Sequence, residues 1–147
     1  MDPIRILLVE DSEGDVLLIS EALEEGRILN TLRTVSDGHQ AMLFLGQQPP
    51  YQAETIPDLI LLDINLPKKN GHEVLHFIKN HPKLKCIPVI MLTTSSSEAD
   101  VYRSYHEHAN CFITKPVDVD QFLGVIATIE DFWINIVRLP GAPHGAR

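Results

Sequence analysis

Polar side chains follow four separate apolar segments of the 147-residue chain. Glu10 and Asp11 come after "IRILLV", Asp63 after "LILL", Thr93 after "IPVIML" and Lys115 after "CFIT". Three carboxylates repel one another and are costly to bury alone, whereas a divalent cation with oxygen ligands relieves the repulsion. If these side chains meet in space, they form a site for a cation and an anionic group.

The chemistry that suits these side chains is phosphoryl transfer. Mg2+ binds through one or two carboxylates, keeps several waters and accepts a phosphate oxygen. Lys115 offers a compact positive charge for phosphate, and the hydroxyl of Thr93 can donate a hydrogen bond to a phosphoryl oxygen. An aspartate such as Asp63 can act as a nucleophile and become an aspartyl phosphate.

Apolar segments of strand length alternate along the chain with segments of helical periodicity. In the first helical segment Val16, Ile19 and Leu23 recur at helical spacing, and Ser12 and Asp15 are placed like a capping box. The same reading along the chain predicts strands over 4–10, 31–35, 58–63, 87–93 and 110–115. It predicts helices over 13–25, 37–46, 71–80 and 95–109 and a last helix from about residue 119.

This order predicts an α/β fold with a five-stranded, parallel, doubly wound sheet, because the strands read as continuous apolar runs separated by helices. The carboxyl ends of such strands meet at one edge of the sheet. Taken singly, Glu10 and Asp11 could be a helix N-terminal acid pair, Asp63 a turn residue, Thr93 part of a cap, and Lys115 a surface lysine. Their coincidence at four strand ends favours one joint site.

Composition indicates a single globular domain. The chain is 44% hydrophobic and 22% charged, with twelve basic and twenty acidic residues and a formal net charge of −8. This charge opposes binding to nucleic acid and to anionic membranes. There is no apparent signal peptide, and the apolar runs are too short to cross a bilayer, so we expect a cytoplasmic protein with no nucleic-acid or membrane partner.

Cysteine and histidine offer little sign of a zinc site. Cys86 and Cys111 lie in apolar surroundings without CxxC spacing, and we expect both to be small core residues. His72 and His76 share a helix face at a spacing that zinc can use, but no third ligand is visible. We expect these histidines to be exposed polar residues.

Four motifs together resemble the receiver domain of two-component response regulators. They are "LLVEDS", "LILLDINLPKKNG", "VIMLTTS" and "FITKP", and the resemblance covers about residues 4–130. It implies the flavodoxin-like (βα)5 fold and a function as a phosphorylatable switch. By resemblance Asp63 is the phosphoacceptor, which receives its phosphoryl group from a phosphohistidine of a sensor histidine kinase.

The resemblance also assigns roles around Asp63. Glu10 and Asp11 hold Mg2+ (or Mn2+) together with Asp63, and the backbone carbonyl of Asn65 completes the protein ligands. Lys115 pairs with the bound phosphoryl group.

Two further positions match the switch residues of the family. Thr93 is the hydroxyl that moves towards the phosphoryl group. Phe112 occupies the position of the switch aromatic, and because it lacks a hydroxyl its signal is expected to be a packing change. The family often has a cis peptide bond at the position of Lys115 and Pro116, in keeping with the rarity of cis bonds outside X-Pro.

Two features point to a narrower resemblance, with the small single-domain regulators of phytochrome histidine kinases. The loop 47–56, "QQPPYQAETI", is long for such a connection, and the last helix continues into "IEDFWINIVRLP". We accordingly expect a receiver domain over 1–131 and a C-terminal helix extension and tail over 132–147. The kinase partner implied is a phytochrome, in a light-signalling pathway.

The C-terminal extension carries more apolar residues than one helix face can bury. Phe132, Trp133 and Ile136 could cover the domain's own core, but the run from 132 to 139 has apolar residues all round a helix. We therefore predict a homodimer through the last helix.

The expected function is signalling by protein–protein contact after phosphorylation of Asp63, without an enzymatic role beyond self-catalysed phosphotransfer and dephosphorylation. The alternative is an aspartyl-phosphate phosphatase or phosphotransferase on a similar fold. Such enzymes usually carry a second acid two residues after the nucleophile, where this chain has Asn65. A third possibility is an adaptor that keeps only the fold, which the intact set of site residues disfavours.

Overall fold

The computed structural model describes residues 3–26, 29–93, 106, 108–109, 111–115 and 117–129. Its elements follow in the order β1 (Ile4–Val9), α1 (Glu13–Glu25), β2 (Asn30–Val35), α2 (Gly38–Leu45), β3 (Leu59–Asp63), α3 (Gly71–Lys79), β4 (Val89–Thr93), β5 (Cys111–Thr114) and α4 (Val119–Ile129). The helix predicted over 95–109 falls almost entirely outside these ranges.

The five strands form one parallel sheet in the order β2-β1-β3-β4-β5. This confirms the predicted doubly wound α/β architecture. The two central strands β1 and β3 pair with Val9 opposite Leu62, so the residues that follow them emerge side by side at the carboxyl edge. β3 in turn pairs with β4, with Asp63 opposite Leu92.

Apolar layers cover both faces of the sheet. On one face α2 and α3 pack through residues such as Phe44, Leu75 and Ile78. On the other face α1 and α4 pack through residues such as Ile19 and Phe122. Because β1, β3 and β4 are buried on both sides, they read as continuous apolar runs in the sequence.

The long connection between α2 and β3 is tied to the domain by polar contacts. The hydroxyl of Tyr51 lies 2.5 Å from Oε1 of Gln40, and the Tyr51 ring packs against Phe44 with centroids 5.4 Å apart. A salt bridge of 2.6 Å joins Arg33 to Glu54. The loop 47–56, which is long for such a connection, is therefore a packed part of the fold.

The burial predicted for Cys86 and the exposure predicted for His72 were wrong, whereas Cys111 packs against the core as a partly buried residue. Cys86 is exposed, because it lies in the turn between α3 and β4, and Cys111 is half-buried at the start of the edge strand β5. His72 is only 4% exposed, although His76 is exposed as predicted. His72 lies three residues before Leu75 on α3, so it shares the inward side of the helix with the apolar residues.

In the part of the chain that the structure describes, no helix has the length and apolar character needed to cross a membrane.

Candidate functional site

The predicted carboxylates meet at the carboxyl edge of the sheet. Glu10 directly follows β1 and is 2% exposed, while Asp63 is the last residue of β3 and is 4% exposed. Asp11 lies beside them at the surface. Among the described residues, these three form the one group of metal-binding side chains whose ligand atoms lie within 4.8 Å of one another.

Lys115 joins this group from β5. The backbone N–H of Lys115 donates to the carbonyl of Thr93 at 2.6 Å, which fixes the lysine at the same edge. Its ammonium donates to Oε1 of Glu10 in a short contact and to Oδ2 of Asp63 at 3.2 Å. The side chain is 6% exposed, so these charges interact largely out of water.

Backbone amides fix the two buried carboxylates from the other side. The N–H of Ser12 donates to Oε2 of Glu10 at 3.1 Å, and the N–H of Asn65 donates to Oδ1 of Asp63 at 3.1 Å. Each carboxylate therefore has one oxygen held by an amide and the other held by Lys115. Their orientation is set before any ligand arrives.

The helix that follows the site begins very close to Asp63. A Cβ atom on Gly71 would lie 2.3 Å from the carbonyl oxygen of Asp63, so only glycine fits there. Asn70 and Glu73 form a capping box at the start of α3. Together they place the start of α3 directly against the backbone that carries Asp63.

Burial and charge crowding shift two pKa values. The loss of hydration raises the pKa of Glu10 to about 7, outweighing the hydrogen bonds from Lys115 and Ser12, and the charge of Asp63 adds to the rise. For Lys115, burial alone would lower the pKa, but hydrogen bonds to Glu10 and Asp15 and the charge of Asp63 raise it above its ordinary value. The lysine is therefore a permanent cation in a site with an excess of carboxylates.

The donor set suits a hard divalent cation. Glu10, Asp11 and Asp63 offer carboxylate oxygens only, with no sulfur and no imidazole among them, and one side of the group is open to solvent through Asp11. Oxygen ligands with room for water are what Mg2+ and Mn2+ take in proteins. Asn65 is exposed next to this opening.

The predicted switch residues have contrasting environments. Thr93 ends β4 and is fully buried, whereas Phe112 is half-buried on β5 and packs against the core layer under α2 and α3. Pro116 and the extension residues Phe132, Trp133 and Ile136 lie outside the described residues, so the cis bond and the dimer contact stay predictions.

One site residue was missed in the sequence. Asp15 was assigned only to a cap, and Ser12 does cap α1 by accepting from the N–H of Asp15 at 3.3 Å. The side chain of Asp15, however, reaches Lys115, with Oδ2 3.0 Å from Nζ. The available signal was the position of α1, whose first turn must begin at the edge where β1 ends.

Fold and site together define a class of protein: a parallel α/β domain with an acid pair after β1, a buried aspartate ending β3 and a lysine after β5. The family model for the response regulator receiver domain matches residues 6–127, and the chain belongs to this family. It is therefore a phosphorylatable regulator of the receiver class, and none of the relatives described below carries a name that indicates an enzyme.

The relatives narrow the class further. The chain is 49% identical over 140 residues to "Response regulator Rcp1" of Synechocystis sp., covering 95% of each protein. A crystal structure of the phosphorylated cyanobacterial phytochrome response regulator RcpA is 46% identical, with a TM-score of 0.81 over 94% of this chain and 99% of that one. The Mn2+-bound form of Rcp1 is 48% identical, with a TM-score of 0.80 over the same shares.

Proposed function

We propose that Asp63 is the phosphoacceptor and that a sensor histidine kinase is the donor. The observation that carries the proposal is the contact of Lys115 with both Asp63 and Glu10, inside a group of acids that suits a divalent cation. The carboxylate of Asp63 is held between a backbone amide and the ammonium of Lys115, which positions it as a nucleophile. The ammonium also places a positive charge next to the site where the phosphoryl group would bind.

The transfer balances without another reactant. An oxygen of Asp63 forms a bond to the phosphorus of a phosphohistidine, the P–N bond breaks with its electron pair going to the imidazole nitrogen, and that nitrogen takes a proton from solvent water. Lys115 offers a hydrogen bond to the transferred phosphoryl group. Positioning and charge neutralisation are the main demands of this chemistry, and the site supplies both.

Glu10, Asp11 and Asp63 would hold Mg2+ or Mn2+, with the backbone carbonyl of Asn65 as a further ligand. The Mn2+-bound structure of Rcp1, a close relative, supports this assignment. When bound, the cation neutralises part of the charge on the acids and the incoming phosphoryl group. Asp63 can then accept an anion that Glu10, Asp11 and Asp15 would otherwise repel.

The output is a rearrangement of packing. Thr93 is buried at the end of β4, the strand beside β3, and it can turn its hydroxyl towards the phosphoryl group. Phe112 packs half-exposed on the neighbouring strand β5 and can take up the space that this movement leaves. Such a change presents a different protein surface, which is the general logic of switches driven by local charge.

The partner proposed for this chain is a phytochrome kinase in a light-signalling pathway, and the likeness to the phytochrome response regulator RcpA supports it. We also propose a cytoplasmic location. We propose the receiver domain over 1–131, an extension over 132–147 and a homodimer through Phe132, Trp133 and Ile136. Light scattering on Trp133→Asp tests the dimer; a wild type that is already monomeric would contradict it.

The test of the acceptor is covalent labelling. Wild-type protein with Mg2+ and acetyl phosphate should gain one phosphoryl group by intact mass, and hydroxylamine should remove it because it cleaves acyl phosphates. Asp63→Asn should gain none. Asp58→Asn is the matched control, since Asp58 is a buried aspartate at the opposite end of the same strand, and it should still be labelled. Equal labelling of Asp63→Asn would refute the assignment.

The test of the donor uses a phytochrome histidine kinase labelled on its histidine. Transfer of the label to wild-type protein, with a rate that differs between light and dark, is the expected result. Transfer from light-insensitive kinases alone would leave the receiver function intact and contradict the phytochrome assignment.

A further inference from the structure

Lys115 has as many carboxylate partners as it has protons to donate. An ammonium carries three N–H donors, and Lys115 contacts Glu10, Asp15 and Asp63. Glu10 and Asp63 belong to the acid group that suits a cation, and Asp15 does not. The lysine is therefore shared between two candidate metal ligands and one carboxylate outside that group.

A cation and Lys115 would share the carboxylates of Glu10 and Asp63. The second oxygen of Glu10 is held by the N–H of Ser12, and the second oxygen of Asp63 is held by the N–H of Asn65. The other oxygens, Oε1 of Glu10 and Oδ2 of Asp63, are the ones that contact Lys115. A cation and an ammonium on the same carboxylate repel each other, so metal binding at Glu10 and Asp63 weakens their hold on the lysine.

Asp15 is placed to keep the lysine at the site. It lies in the first turn of α1, where the helix dipole favours a carboxylate, and its backbone is fixed by the cap from Ser12. Its Oδ2 is 3.0 Å from the lysine ammonium, and its side chain is 30% exposed, so it can hold the ammonium from the solvent side of the site.

We propose that Asp15 is a positioning residue that gives Lys115 an alternative partner, so that a divalent cation can occupy Glu10 and Asp63 without expelling the lysine. This inference rests on the proposed function, because it requires the acid group to bind a cation. Its consequence is that cation and lysine stand together beside Asp63, where both face the incoming phosphoryl group.

The experiment measures Mn2+ affinity directly, from the electron paramagnetic resonance signal of free Mn2+ over unphosphorylated protein. Asp15→Asn should weaken Mn2+ binding by about threefold, the scale of a partly exposed ion pair. Glu13→Gln is the matched control, because it removes one exposed charge from the same helix turn, and it should weaken binding by less than about twofold. Asp15→Glu, which keeps the carboxylate, should stay close to the wild type.

The decisive comparison measures the effect of Asp15→Asn on Mn2+ affinity in protein that also carries Lys115→Met. Without the ammonium there is no competition, so Lys115→Met alone should bind Mn2+ more tightly than the wild type. In this background the additional effect of Asp15→Asn should shrink to that of Glu13→Gln. Lys115→Gln provides a second background, and thermal unfolding confirms that each variant is folded.

Three results separate the possibilities. If Asp15→Asn and Glu13→Gln weaken binding equally in the wild-type background, Asp15 has no special role. If the effect of Asp15→Asn is as large without the lysine as with it, Asp15 acts on the cation itself and the inference is overturned. If the wild type binds no Mn2+ at all, the proposed cation site fails and the inference fails with it.

Discussion

The two ends of the central strands both bury aspartate, but they neutralise it differently. Asp58, just before β3, is 1% exposed and accepts from the backbone N–H of Arg5 at 2.9 Å and from its guanidinium at 3.4 Å through both oxygens. In return, the N–H of Asp58 donates to the carbonyl of Arg5 at 2.7 Å. Arg5 holds this carboxylate through its backbone N–H and its guanidinium, and the pair joins β1 to the segment entering β3.

Among the described residues, the charges at the carboxyl end of the same strands do not balance. The single ammonium of Lys115 serves Glu10, Asp15 and Asp63, and Asp11 adds a further negative charge nearby. Burial is almost the same at the two ends, so burial does not distinguish them. The excess of negative charge does, because it costs folding free energy and is relieved only by an added cation.

The largest expected change in the free energy of unfolding is at Asp58. Asp58→Ala should lower the free energy of unfolding by about 3 kcal/mol, because it leaves the backbone N–H and guanidinium of Arg5 without their buried acceptor. Urea unfolding measures it. Asp58→Asn, which keeps an acceptor oxygen, is the matched variant and should lose less. A loss no greater than that of Glu24→Ala, an exposed α1 residue, would show that the pair is not structural.

At the end that carries Lys115, removing a carboxylate should stabilise the protein instead of destabilising it. Asp63→Asn should raise the free energy of unfolding by about 1 kcal/mol in EDTA, because one of several carboxylates around a single ammonium is removed at constant size. The same unfolding measurement decides it. Added Mg2+ should reverse the order by stabilising the wild type and not the variant. Destabilisation by Asp63→Asn in EDTA would mean that the charges balance after all.

A further expected effect is a pH dependence of stability due to Glu10. Burial raises the pKa of Glu10 from an ordinary value of 4.5 to about 7, so Glu10 stays protonated to a higher pH in the folded protein than in the unfolded chain. The stabilisation is complete below 4.5 and is lost as the pH rises through about 7. In EDTA, the Tm of Glu10→Gln relative to wild type should therefore increase between about pH 5 and pH 8. A constant difference over this range would contradict the raised pKa.

Much of the fold was predictable because local signals agree with it. The run "LILLD" has to be buried on both faces, and Ser12 and Asp37 mark the starts of α1 and α2 as caps. The predicted ends of elements differ from the structure by one or two residues. The exposure of Cys86 was not predictable, since it depends on how the turn before β4 crosses the surface.

The candidate site was predictable to the extent that it depends on strand ends. A parallel sheet brings the residues after β1, β3, β4 and β5 to one edge, so Glu10, Asp63, Thr93 and Lys115 could be grouped from their positions alone. Asp15 could not be added to this group from the sequence, because its contact with Lys115 depends on the direction of a helix side chain. Asp58 was also missed, although it precedes the same strand, because its partner Arg5 is 53 residues away in the chain.

The sequence by itself determined the kind of residues at the site and the edge at which they gather. That much follows from apolar periodicity and from the geometry that all parallel sheets share. Only the tertiary structure decided how the charges are matched: one lysine contacts three carboxylates at one end, and an arginine holds a buried aspartate at the other. Pairing depends on distances of a few ångströms between side chains from separate elements, which no spacing along the chain specifies.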